Sequence, residues 1–506
     1  MSKSQSFKKM GIVGAGSMGS EMALLFAEHG LTVSSFDVSG QNIDNLNKYA
    51  ESAPEEVRSR IITYKDYDSF ISSLGGTDAR KLFVFSIRHG SAGDEVLKSM
   101  DKYLTDGDII LDGGNEWYLN TERRQKALEP RGVHYIGLGV SGGYQSARRG
   151  PSMSPGGNTD AIKQVLPILE KFAAKDKKTG QPCVTVIGPG GSGHYVKMVH
   201  NGIEQGILGI MAEAWELLYK CLAIPLDEIS GIFRRWAEQG ELSRNFLVEI
   251  GADICAQPDD YTHSASHLVN KIQDKVVQDA DNSEGTGFWT IAEAANRHVS
   301  APTIAAAHFL RIASSDRAQR LQVVDGLGQD LGAARKQHLS DDEKTAFVGD
   351  LRLAVYCATL ASFAQGMNLI ARASKDEEWN VNLSKCVQIW REGCIIRSEY
   401  IADLLQPLFE KDPEVMNILT LKPVAEEVKR TFPALQRVVQ KALEWNAHVP
   451  SISASLEYFK YCAGLHLPTQ FMEAELDYFG AHSFDLKEEG PGDVKKGKHH
   501  FEWKPA

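Results

Sequence analysis

A chain of 506 residues is too long for one ordinary domain and predicts two to four. With 42% hydrophobic and 24% charged residues it has the balance of a globular protein with a large buried core, and a formal net charge of −11 excludes a general nucleic-acid binder, which needs clustered Lys and Arg against phosphates. The sequence shows no run of about 18 apolar residues, so no membrane partner is expected; the opening stretch Met1 to Ser6 has no apolar signal core, so a cytosolic location is the expectation. In chain order, Met10–Val13 reads as a short buried strand, Glu21–His29 as a helix and Leu31–Phe36 as a second strand. Further apolar runs at Leu82–Phe85, Ile109–Leu111, His134–Ile136 and Val184–Ile187 predict more strands. With helical patterns between them they indicate βαβ units and a largely parallel sheet. Beyond Gly193 the apolar spacing becomes helical, for example over His194–Tyr219 and Leu351–Ser374.

The reading is therefore an α/β Rossmann domain over 1–192, a large all-α domain over 193–480 and an extended C-terminal tail over 481–506. The tail is rich in Lys, Gly and Asp and cannot bury much of itself; it is either mobile or ordered against another surface. Seven scattered cysteines, odd in number and without a C-x-x-C pair, predict buried reduced thiols rather than disulfides or a thiolate metal site.

Gly14-Ala15-Gly16-Ser17-Met18-Gly19 fits G-x-G-x-x-G between a strand and a helix. The glycines suit a tight turn, close approach of a pyrophosphate and close helix–strand packing, with free N–H groups at the helix start facing the phosphates. Asp37, at the end of the second strand, suits the ribose hydroxyls of NAD and repels the 2′-phosphate of NADP. The alternative for Asp37 is a simple turn cap before Gly40.

On a helix, Lys197, His200, Asn201, Glu204 and Gln205 fall at i, i+3, i+4, i+7 and i+8 and share one face. A solvated stripe has the same spacing, but an amine, imidazole, amide and carboxylate together suit proton transfer around a polyol.

This segment resembles the 6-phosphogluconate dehydrogenase family. So do Leu111–Asn115, Ile136–Gly143, Ala147–Gly157, Gly285–Thr290, Trp390–Ser398, Asp477–His482 and Phe501–Trp503, in order along the chain. The resemblance implies a dimer whose tail reaches the partner's substrate site. It implies Lys197 as the base for the C3 hydroxyl, loss of the carboxylate as carbon dioxide from the 3-keto acid, and Glu204 as the acid that protonates C1 of the enediol. It assigns Asn115, Ser141, Gly142, Gly143, His200 and Asn201 to the substrate's carboxylate and hydroxyls, with Asn115 also beside the cofactor, and Thr286, Arg311 and His482 to its phosphate. Lys197 must be neutral to act as base, and His200 one turn away is expected to help by supplying positive charge. No metal is called for.

Three positions depart from the family. Gln205 replaces a Tyr, Glu284 a Lys and Leu476 an Arg, so the phosphate site loses two cations and gains an anion. Asp37-Val38 stands where NADP-using members carry Asn-Arg. The leading expectation is oxidative decarboxylation of 6-phosphogluconate with NAD or NADP, NAD being favoured. The alternatives are an NAD-dependent dehydrogenase of a non-phosphorylated aldonate or other β-hydroxy acid, and, from another class, a non-catalytic nucleotide-binding protein.

Overall fold

The computed structural model describes residues 7–261, 264–277, 285–491 and 497–503. Seven strands form one sheet: β1 (Lys9–Val13), β2 (Thr32–Phe36), β3 (Ile61–Tyr64), β4 (Leu82–Phe85), β5 (Ile109–Asp112), β6 (His134–Ser141) and β7 (Ser152–Gly156). Their order is β3-β2-β1-β4-β5-β6-β7; the first six run parallel, and β7 lies antiparallel to β6. The inner strands are apolar on both faces because helices cover both. Ile12, Val33 and Leu111 join one core with Leu24 and Leu25 of helix α1 (Ser17–Glu28), while Val13, Phe83, Phe85 and Ile110 join another with Phe70 and Met100. The strand order turns back between β1 and β4, so the carboxyl ends of β1, β4, β5 and β6 open one crevice, the usual ligand position in such sheets.

Two local expectations need correction. Helix α1 starts at Ser17, not Glu21, so the last three residues of the glycine motif already belong to its first turn. Val184–Ile187 is not a strand: the segment meets β7 only at Met153–Val184 and Gly156–Gly188. It follows the sheet margin through Met153 N–H on Cys183 O and Ile187 N–H on Pro155 O, without a ladder. Pro155, lacking an N–H, fits β7 to that marginal position.

After β6 a short helix α2 (Gly143–Arg149) leads to β7, and beyond Gly191 helices take over. They include α3 (Ser192–Glu216), α4 (Thr286–Asn296), α5 (Pro302–Ser315), α6 (Arg317–Leu327), α7 (Asp341–Asp376), α8 (Lys422–Glu444), α9 (Pro450–Ala463) and α10 (Thr469–Gly480). The axis is α3, which packs on β6, β7, α4, α5 and α7 and is therefore buried along most of its length. A capping box between Ser340 and Glu343 fixes the start of α7. Contrary to the sequence reading, α7 is long and apolar enough to cross a membrane; 89% of that stretch is buried inside the fold, which makes it a core helix.

The chain divides into two compact units, Met1–Leu456 and Glu457–Ala506. In the second, the tail turns back on α10: the main chain of Phe484 pairs with His499, and Ser483, His500, Phe501 and Trp503 bond to Asp477. Six cysteines are buried, as expected; Cys462 is exposed.

Candidate active site

The glycine loop is shaped by what a side chain would strike. Gly14 has φ +103° and donates its N–H to Phe36 O at 2.8 Å, and a Cβ there would fall 2.1 Å from Ser86 O. A Cβ on Gly19 would fall 1.9 Å from Gly14 O, so α1 reaches the turn only without one. At Gly16, the N-cap of α1, a Cβ would meet nothing within 4 Å. The open approach therefore lies over the free N–H groups of the first turn, at Ser17 and Met18, which holds no acidic residue. Such a cradle fits a dinucleotide pyrophosphate. Asp37 accepts from Ala15 N–H and Ser39 N–H, both at 2.7 Å, and from Asn42 Nδ2 at 3.1 Å, so it braces the glycine loop and caps the following turn at once.

Asn115 stands in the loop after β5 between two buried carboxylates. Asp112 accepts from the Tyr135 hydroxyl and, at 3.1 Å, from Gly114 N–H. Glu116 accepts from Gly90 N–H at 2.9 Å, Trp117 N–H at 2.8 Å and Arg124 Nη1 at 2.6 Å. Burial pushes the Glu116 carboxyl up, but Asn120, Arg124 and Gly90 N–H outweigh it and hold it below the usual carboxylate range. His194, in the first turn of α3, puts Nε2 2.9 Å from Asp112 O and Nδ1 2.7 Å from Thr121 Oγ1. The carbonyl only accepts, so Nε2 carries the proton and Nδ1 accepts from the threonine. Loop and helix are thereby joined. The sequence reading missed Glu116, Arg124 and His194; the acidic residues flanking Gly-Gly-Asn were the available signal.

Along α3, Lys197 is 6% exposed and donates to Ser141 Oγ at 3.3 Å. Ser141 ends β6, and Gly142 follows with φ +100°, its missing side chain leaving room for Gly393 O, which a Cβ would approach to 2.3 Å. The same carbonyl accepts Ser152 N–H, so the Trp390–Ser398 motif buttresses the Ser141–Gly143 loop. One turn after Lys197, Asn201 Nδ2 donates to Thr286 Oγ1 at 3.1 Å, which turns Asn201 Oδ1 toward His200 Nδ1 at 3.0 Å. Nδ1 is then the donor, and the buried Nε2, with no partner among the described residues, is left as an acceptor. Glu204 Oε2 lies 3.8 Å from His200 Nδ1, with its side chain a quarter exposed. Lys197, His200, Asn201 and Glu204 are thus brought together. The role expected for His200 is reversed, however: burial, then the charge of Lys197, holds its imidazole well below the usual range. A neutral imidazole cannot supply positive charge to Lys197.

Toward the far end, Gln205 is buried and its Oε1 accepts from His308 Nδ1 at 3.0 Å. A Cβ on Gly287 would strike the Gln205 amide at 2.1 Å, so the Gly-Thr-Gly turn and the glutamine are fitted to each other. His308, on α5 one turn before Arg311, is a further residue the sequence reading missed; it places an imidazole beside Gln205, where the family carries a Tyr. Gln205 and Arg311 line a cavity of about 640 Å³ between α3 and α5. The Trp289 ring of α4 packs 5.0 Å from that of His89 and 5.5 Å from that of Trp117. Glu284 lies outside the described residues; Leu476 and His482 belong to the second unit.

Comparison with known proteins bears directly on this arrangement. Residues 9–188 match the NAD binding domain of 6-phosphogluconate dehydrogenase, and residues 193–503 match the 6-phosphogluconate dehydrogenase C-terminal domain. The chain belongs to the 6-phosphogluconate dehydrogenase family. A decarboxylating 6-phosphogluconate dehydrogenase of Emericella nidulans is 50% identical over 500 residues, covering 97% of this chain and 100% of that one. One from Spinacia oleracea is 37% identical, covering 94% and 95%. The Plasmodium falciparum 6-phosphogluconate dehydrogenase, solved apo, with NADP+ and with 6-phosphogluconate, superposes with a TM-score of 0.85 at 32% identity, over 98% of this chain and 100% of that one. Family membership spans both the glycine cradle and the α3 face, so the two halves of the crevice are parts of one enzyme fold.

Proposed function

We propose that this chain catalyses the oxidative decarboxylation of 6-phosphogluconate to a ketopentose phosphate and carbon dioxide, reducing a nicotinamide dinucleotide. The observation that carries it is the buried face of α3. Its amine, imidazole, amide and carboxylate stand beside Ser141 at the carboxyl end of a sheet whose first turn fits a pyrophosphate. The nicotinamide, when bound, supplies the acceptor for hydride from C3. Lys197, as the neutral amine, takes the proton of the C3 hydroxyl, and Ser141 Oγ aims that amine. The 3-ketone then accepts the electrons released as the carboxylate leaves as carbon dioxide. Glu204 delivers a proton to C1 of the enediol. His200 Nε2 accepts a substrate hydroxyl, Asn201 and Asn115 fix its neighbours, and the Ser141–Gly143 turn holds the carboxylate. Thr286 and Arg311 hold the phosphate, and the family resemblance adds the partner's His482, carried on the exchanged tail.

The finer reading is a cytosolic homodimer that prefers NAD. The part-exposed Asp37 carboxylate, followed by the exposed Val38 rather than a cation, supports that preference. The Gln205–His308 pair and Leu476 favour one second reading, the same chemistry on an aldonate without a phosphate. Initial rates with 6-phosphogluconate and gluconate, each with NAD and NADP and with released carbon dioxide trapped, separate these readings. Carbon dioxide released from the phosphorylated acid, with higher kcat/KM for NAD, is the expected result; no turnover of that acid would overturn it. Lys197→Ala should lower kcat by about 10²–10⁴ while dinucleotide still binds.

A further inference from the structure

The Asp-Tyr-Phe-Gly-Ala-His run at the end of α10 contains a device that the reaction does not by itself explain. Asp477 is 1% exposed, yet no Lys or Arg pairs with it among the described residues. Its two oxygens instead gather four donors from the tail. Oδ1 accepts from Ser483 N–H at 3.0 Å and His500 Nδ1 at 2.9 Å, and Oδ2 from Phe501 N–H at 3.1 Å and Trp503 Nε1 at 2.9 Å. One carboxylate therefore joins the last turn of α10 to both ends of the loop that follows.

That loop opens on His482, and the backbone on either side of it is constrained. Ala481 has φ +48° and Ser483 φ +70°, conformations that side chains other than glycine's rarely adopt and that persist only where surrounding contacts determine them. The contacts are visible. Ala481 N–H donates to Asp477 O at 3.0 Å, and Ser483 N–H donates to the Asp477 carboxylate. The imidazole itself lies where Gly480 has no side chain: a Cβ there would sit 2.3 Å from His482 Cδ2. Phe479 meets the same ring edge-on at 6.0 Å.

We propose that Asp477 is a positioning residue for His482: its buried carboxylate clamps residues 483 and 500–503 to the end of α10 and so fixes where the imidazole is presented. This rests on the reading of His482 as a ligand of the substrate phosphate. Asp477 touches no reacting atom. It acts by removing the freedom of a loop that would otherwise have to be ordered each time substrate binds, so it contributes to affinity rather than to the chemical step.

The test uses the full-length enzyme as wild type, His482→Ala, Asp477→Asn, the double variant and Trp503→Phe, which keeps a large ring and removes a single donor. Steady-state kinetics are read with 6-phosphogluconate and with gluconate. A charge-assisted contact to phosphate predicts that His482→Ala raises KM for 6-phosphogluconate by roughly tenfold to a hundredfold. Asp477→Asn should raise it by a similar factor with kcat little changed, add nothing in the double variant, and leave kcat/KM for gluconate unmoved. Trp503→Phe should shift KM the same way by less, and it decides the matter if Asp477→Asn does not fold. If His482→Ala leaves KM unchanged, the phosphate role of His482 fails. If His482→Ala acts but Asp477→Asn and Trp503→Phe are silent, multiply its effect, or depress gluconate turnover equally, the clamp is overturned.

Discussion

A methyl group added at position 139 would reach the stem of the reacting amine. The Cβ of an alanine there would lie 2.5 Å from Lys197 Cβ, 2.3 Å from Ser154 Oγ and 3.0 Å from Gly193 O. Strand β6 and helix α3 touch at this point, so the helix must shift to admit the side chain. A displacement near 1 Å in a catalytic group costs on the order of 10² in rate. Gly139→Ala should therefore lower kcat by about that factor and leave the dinucleotide dissociation constant, measured by fluorescence titration, unchanged. Retained kcat would mean that this contact does not set the position of Lys197. At this scale the sequence was legible where chemistry follows a helical period: Lys197, His200, Asn201 and Glu204 are one face by spacing alone. His308 was not, because its partner Gln205 lies 103 residues away. Nor was the neutrality of His200, which comes from burial that only the folded chain supplies.

Helix α3 carries the catalytic face in its first half and the buried acid Glu213 in its last turns. Glu213 is 2% exposed and accepts Ser451 N–H at 2.7 Å and Ile452 N–H at 2.8 Å, capping the first turn of α9 from another helix. Burial nevertheless pushes its pKa up to about 7, against the lowering pull of those hydrogen bonds. The folded chain thus holds this proton where the unfolded chain, near 4.5, has released it. Stability from this group is fully present below 4.5 and is lost as pH rises through 7. Between pH 5 and pH 8 the loss integrates to roughly 2–3 kcal/mol. Denaturation by urea at those two pH values should show Glu213→Gln gaining on the wild type by about that amount at the higher pH. Equal slopes for the two proteins would mean that Glu213 titrates normally. The elements themselves were legible unevenly for a physical reason. The buried parallel strands are short apolar runs that read clearly. Val184–Ile187 has the same local character without forming a ladder, because its neighbour β7 ends the sheet, while β7 was hidden by a Ser-Met-Ser-Pro-Gly composition that suits a loop.

At the scale of the molecule, helix α6 stands without a core among the described residues. No residue of α6 is buried, and Leu321, Val323, Val324 and Leu327 are 53%, 53%, 37% and 52% exposed. On the preceding helix, Phe309 and Ile312 are exposed at 61% and 45%. Arg317 and Arg320 tie the start of α6 to Asp274 at 3.1 and 2.9 Å, but exposed ion pairs contribute little. A helix of 11 residues is marginal in water on its own, so this one needs an apolar surface to lie against. The proposed homodimer would put a second copy of the chain against that surface. Sedimentation at micromolar concentration should give twice the 55.7 kDa chain mass. Leu321→Glu combined with Leu327→Glu should shift the population to single chains. If the tail serves the neighbouring copy's site, separation must remove His482 from the phosphate as well. The double variant should then raise KM for 6-phosphogluconate in step with its monomer fraction, and raising the protein concentration should reverse both effects together. A wild type that sediments as a single chain, or a dissociated variant with unaltered KM, would break the link between assembly and substrate binding.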